Sequence, residues 1–202
     1  MIMCGGILKV MEEFKVNTII LSKQNEESDN YKYFKQLVKD KNIKTIFVNK
    51  GDKLNIEKDV YINFLWPNKE KAISDNILNN NSIVCKLVYK DFSILFTGDI
   101  EEIAEKEILN EYKNNLKVFD STILKVAHHG SNTSSTNNFL KAVKPKIALI
   151  GVGKDNKFGH PNDEVIQKLG ILKTSIYRTD NSGEITIVID KNGRIMIREF
   201  IK

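Results

Sequence analysis

Cysteine is scarce in this chain. Two occur among 202 residues, Cys4 and Cys85, and their separation matches no metal-binding spacing. A disulfide framework and a thiolate zinc site are therefore not expected. Both cysteines read as free thiols, with Cys85 buried in an apolar run. Long apolar stretches are also missing. None approaches the roughly 18 residues that a membrane-spanning helix needs. The opening decapeptide, Met1 to Val10, is apolar but lacks a basic leader, so it makes a poor signal peptide. The chain as written is expected in the cytoplasm. There is no internal repeat and no linker, so residues 1–202 read as a single domain, long enough for a sizeable core.

Hydrophobic residues make up 41% and charged residues 28%, ordinary for a globular protein. The net charge of +5 permits contact with phosphates. The lysines are spread along the chain, so a solvated surface is the simpler reading.

The hydrophobic pattern predicts a mixed α/β unit. Helices are expected at 5–14, 29–40, 100–114, 135–143 and 162–169, the last started by Pro161. Strands are expected at 18–21, 45–48, 60–66, 82–89, 92–97, 122–127, 146–151, 175–178, 184–189 and 194–200. Asn68 to Asn81 reads as a polar surface loop. Lys191-Asn192-Gly193 is a hairpin signal. Phe14, Phe34, Phe47 and Trp66 are assigned to the core. On the first two helices, Ile7, Leu8, Met11, Phe14, Tyr33, Phe34, Leu37 and Val38 are expected to face inward.

Histidine is also scarce, but it is clustered. All three, His128, His129 and His160, lie in two short motifs, Ala127-His128-His129-Gly130-Ser131 and Gly159-His160-Pro161. A third motif, Leu95-Phe96-Thr97-Gly98-Asp99, precedes them. Each trails an apolar run that reads as a strand. Strand ends that bring His, His, Asp and His together can build a metal site. Gly98 allows a turn that projects the Asp99 carboxylate, whose two oxygens can bridge two ions. The plainer alternative is that Asp99 caps the next helix. Adjacent imidazoles in an extended strand would face opposite ways, so one can bind metal and the other a substrate phosphate. His160, at a loop-to-helix junction, can donate a hydrogen bond to an oxyanion. Lys154, Asn156 and Lys157 can add donors. Tyr177-Arg178-Thr179-Asp180 reads as polar strand-end structure.

Together these motifs resemble the metallo-β-lactamase fold. More closely, they are similar to the C-terminal metallo-hydrolase domain of ComEC-type DNA-uptake competence proteins. The resemblance rests on Leu95 to Asp99, Leu124 to Ser131, Pro145 to Ile150, Asn156 to Pro161, Tyr177 to Gly183 and Gly5-Gly6-Ile7-Leu8, and so covers nearly the whole chain. It implies an αββα sandwich with mixed sheets and a two-metal cleft. It also implies phosphodiester hydrolysis by a metal-activated hydroxide, with Zn or Mn as the ion and DNA as substrate. Asp99 then matches a metal-bridging carboxylate. His128 and His129 match one ligand and one neighbour, in either order. His160, with His128 as a further catalytic candidate, would hold the scissile phosphate or the leaving oxygen. The parent family is embedded in the membrane.

One part of the pattern departs. The family's main metal motif, H-x-H-x-D-H, precedes a glycine pair. Here that pair is Gly5-Gly6, and the expected Asp and His fall on Ile2 and Met3. The earlier histidines and the first strands fall before residue 1. The expectation is an N-terminally truncated domain with weak or absent metal binding. A partner chain supplying the missing strands, or aggregation, is expected with it. The alternative readings are a non-catalytic remnant or nucleic-acid-binding module, and a small-molecule hydrolase of the same fold.

Overall fold

A computed structural model describes residues 5–24 and 26–200. Ile2, Met3 and Cys4, on which part of the motif argument falls, lie outside the described residues.

The chain opens with α1 (Gly5–Glu13), β1 (Thr18–Leu21), α2 (Asp29–Asp40) and β2 (Lys44–Phe47). It continues with β3 (Lys53–Glu57), β4 (Val60–Trp66), α3 (Ile77–Asn80), β5 (Val84–Tyr89) and β6 (Phe92–Phe96). Three strand–helix units follow: α4 (Glu102–Glu111), β7 (Ile123–Lys125), α5 (Asn137–Val143), β8 (Ile147–Ile150) and α6 (Asp163–Ile171). The chain closes with β9 (Ser175–Arg178), α7 (Thr179–Ser182), β10 (Ile185–Ile189) and β11 (Ile195–Glu199).

Seven strands form one mixed sheet in sequence order, β3 to β9. Pairs from β3 to β6 are antiparallel, and pairs from β6 to β9 are parallel. Strand residues alternate between the two faces. Leu95, Leu124, Ala148 and Ile150 face the helices and pack with Ile108, Phe119, Phe139, Leu140 and Leu169. Phe92, Ile94, Ile123, Ile147 and Leu149 face the other way and meet Ile187, Ile189 and Ile195 of the β10–β11 ribbon. A second ribbon, β1 paired in parallel with β2, has its own small core of Leu8, Met11, Ile19, Phe34, Leu37 and Ile43. The architecture is α/β, with α4, α5 and α6 on one face of the mixed sheet and the β10–β11 ribbon on the other.

Local chemistry sets the helix starts. The Ser28 hydroxyl accepts from Tyr31 N before α2, Thr136 from Phe139 N before α5, and Asn162 from Glu164 N before α6. Pro161 therefore stands outside the first turn of α6, which begins one residue after its Asn162 cap. The 68–81 segment is not a plain surface loop. It contains α3, and Asn80 and Asn81 are buried and hydrogen-bonded within it.

Several apolar residues do not reach the core. Phe34 and Trp66 are buried, but Phe14 is 63% and Phe47 53% exposed. Ile7 is exposed, and Tyr33 points its hydroxyl at Glu12 instead. The α1 and β2 surfaces that carry the exposed residues have no described layer over them. Cys85 is partly buried, and burial pushes its thiol up to about 11.

Candidate functional site

The parallel strands β6, β7 and β8 end on one edge of the sheet. In open α/β sheets, this carboxyl edge is where ligand crevices form. Here it carries Gly98-Asp99, the histidine pair and the 151–160 loop. A cleft of about 630 Å³ lies over it, lined by Asp99, His128, His129, Phe158 and His160, with Ile20 and Leu78 among its apolar lining.

Asp99 is placed by the turn before it. The Thr97 hydroxyl donates to Lys125 O at 2.6 Å, tying the end of β6 to β7. Gly98 has φ +54°, and a Cβ there would lie 2.6 Å from Ser82 Cβ, so only glycine fits. Asp99 does not cap α4; Glu101 occupies that N-cap position without a side-chain cap bond. Its carboxylate is left for the cleft.

The histidine pair is not extended. His128 and His129 both adopt left-handed backbone angles, with φ 46° and 55°. His128 N donates to Gly98 O at 3.1 Å, which holds this tight turn against the end of β6. The two rings therefore have different neighbours rather than opposite sheet faces. His129 Nδ1 lies 2.5 Å from Gly151 O. A carbonyl only accepts, so Nδ1 carries a proton, and in the neutral ring Nε2 then keeps its lone pair. That Nε2 is buried without a hydrogen-bond partner and lies 3.6 Å from Asp99 Oδ1. His128 turns toward a different carboxylate. Its Nδ1 is 3.5 Å from Glu101 Oε1 and 3.4 Å from the Thr133 hydroxyl. The Asn80 side-chain Oδ1 accepts from Glu101 N at 2.9 Å, and the Thr133 hydroxyl donates to Glu101 Oε1 at 3.2 Å.

His160 is delivered by a loop organised around Asn156. The Asn156 side-chain oxygen accepts from Phe158 N and His160 N, and its amide donates to Gly153 O and His160 O. Gly130, at φ +83°, lets Pro161 approach so closely that a Cβ would sit 2.6 Å from Pro161 Cβ. The His160 ring meets the His128 ring edge-on, centroids 5.9 Å apart. Burial, followed by the neighbouring His128 and His129, lowers the pKa of His160. A neutral imidazole with a hydrogen-bond donor is the favoured form near neutrality.

Sequence reasoning missed three neighbours. Lys125 is a lysine inside an apolar strand, and burial pulls its pKa down while Asp99 pulls it up. Glu101, two residues after Asp99, orients His128. Phe158 is the aromatic in an otherwise polar loop. The signal for Lys125 was present, because a charge within a buried strand needs a reason.

Asp99 and His129 are the two donors that converge. Among the described residues, no group of three or more His, Cys, Asp or Glu side chains is arranged to hold an ion. Two donors fall short of the four that a closed zinc site uses. These residues alone do not fit a tightly held resident metal.

The sequence has informative relatives. It is 30% identical over 176 residues, 87% of this chain, to ComE operon protein 3 of Bacillus subtilis. It is 35% identical over 130 residues, 64% of this chain, to competence protein ComA of Neisseria gonorrhoeae. The chain is similar to one part of the ComEC-type competence proteins. Recombination protein 2 of Haemophilus influenzae is 33% identical over 110 residues, 54% of this chain. The chain spans 22%, 18% and 13% of the lengths of these relatives, respectively. No protein-family model matches it. Among the described residues, no helix is long and apolar enough to cross a membrane.

Proposed function

We propose that this chain carries the phosphodiester-binding cleft of a ComEC-type metallo-hydrolase and serves DNA uptake in competence. One observation carries the reading. Asp99, His128, His129 and His160 come from three separate strand ends to one cleft, and the buried His129 Nε2 faces Asp99 with no other partner. A layered α/β unit with a cleft at its strand edge is what the metallo-β-lactamase fold would present.

The chain's own residues have distinct parts to play. His160, neutral and held by Asn156, donates a hydrogen bond to a phosphate oxygen. His128 is oriented by Glu101 and Thr133 through Nδ1, which turns its Nε2 toward the cleft as a lone-pair acceptor. Asp99 and His129 offer one carboxylate and one imidazole lone pair. Turnover by a metal-bearing site would need donors beyond these two. The two-donor count also favours a second reading, in which the cleft binds nucleic acid without cleaving it.

The test is binding and cleavage of a labelled DNA oligonucleotide by this chain, with and without Mn²⁺ or Zn²⁺. Binding that falls about tenfold or more in His160→Ala supports the cleft reading. Cleavage that needs the added ion and Asp99 supports the hydrolase. Binding without cleavage supports the second reading. An oligonucleotide that does not bind at all sinks both.

A further inference from the structure

The mouth of the cleft holds a side chain that phosphate chemistry does not use. Phe158 is 73% exposed, although it lines the same cleft as Asp99 and His129. A bare aromatic ring in a polar loop is normally turned inward or covered. This one is held out, because Asn156 fixes the backbone on both sides of it. One face of the ring lies nearly parallel to His160, with centroids 5.9 Å apart and planes 18° apart. His160 in turn meets His128. Three aromatic rings thus run in series from the strand end to the surface, and the outermost presents a face to solvent. Lys154 and Lys157, both exposed, flank it in the loop.

An accessible aromatic face beside cations, next to a phosphate-binding cluster, is the pattern that tracks single-stranded nucleic acid. Each base has a π-face to stack, and a duplex hides those faces. We propose that Phe158 is a base-stacking platform. It takes one nucleobase of a single DNA strand on its outer face while an adjoining phosphodiester lies at His160. This selects single strands over duplex and rests on the phosphodiester reading above.

The test compares three probes: a short fluorescein-labelled oligothymidylate, an abasic strand with the same phosphates, and the matching duplex. The expected order is oligothymidylate tightest, by about tenfold over the abasic strand. Phe158→Ala should lose that preference and leave abasic binding unchanged. Phe158→Trp should keep it and show fluorescence quenching as the base stacks. Equal binding of all three probes by the unaltered chain would overturn the proposal. So would a preference that survives Phe158→Ala. If neither strand nor duplex binds, the phosphodiester reading fails with it. If all bind alike and His160→Ala weakens them, only the stacking inference fails.

Discussion

His129 Nε2 is a buried side-chain nitrogen without a hydrogen-bond partner. A buried nitrogen without a partner costs about 1–3 kcal/mol of lost solvation. The nearest carboxylate oxygen, Asp99 Oδ1, lies 3.6 Å away, beyond hydrogen-bond reach. Asp99→Asn tests the point, because an amide can donate to His129 Nε2. The variant is expected to melt at the same or a higher temperature while losing any ion-dependent cleavage. A fall in melting temperature would mean that the nitrogen is already satisfied. Lys125 provides a pH test. Its folded pKa lies below the ordinary 10.5. Between those two values the unfolded chain holds a proton that the fold has shed, so stability rises with pH. It is lost as pH falls through the folded value. Lys125→Met removes the proton site, so unaltered protein should gain on the variant as pH climbs toward 10.5 in denaturant titrations. Parallel stability curves for the two would refute this.

At the scale of elements, Glu105 on α4 joins two parts of the site. Its buried carboxylate accepts from Ser135 N at 2.6 Å and Thr136 N at 2.8 Å. Burial pushes its pKa up, and these donors pull it back. Glu105→Ala strands two amides in the loop that follows the histidine turn. The expected loss is about 2–4 kcal/mol by chemical denaturation, with Glu105→Gln losing less. A loss below about 0.5 kcal/mol would show that water or another group replaces the carboxylate. The elements that sequence reads well are those whose own pattern decides them. The strand at 60–66, the helix at 29–40 and the alternation through β6, β7 and β8 all follow from apolar spacing. The histidine turn was not legible, because two successive left-handed non-glycine residues oppose local preference. Long-range contacts hold it: His128 N to Gly98 O, 30 residues away in sequence, His129 Nδ1 to Gly151 O, Asn162 N to Gly130 O, and the docking of Pro161 on Gly130. β3 was missed for a related reason. It is a short, mostly exposed edge strand whose only ladder partner among the described residues is β4.

For the whole molecule, the unequal layering is the dominant fact. One face of the seven-stranded sheet lies under helices, and the other meets the two-stranded β10–β11 ribbon, while β1–β2 packs in a small core of its own. Among the described residues, no strand of β1–β2 or β10–β11 has a second neighbour. Phe47 on β2, with Val188 and Met196 on the last ribbon, is exposed. Open edges with apolar faces invite pairing with another chain. Concentration-dependent self-association is expected in sedimentation velocity, and Phe47→Lys with Met196→Lys should reduce it. A monodisperse monomer across the concentration range would count against these edges as pairing sites.

The bonds from Asn156 also bear on speed. A loop already fixed in its final shape needs no rearrangement before a ligand docks. On the stacking proposal, capture at Phe158 and His160 is expected to be limited by encounter. Its rate rises linearly with oligonucleotide concentration, without the plateau that a slow closing step would impose.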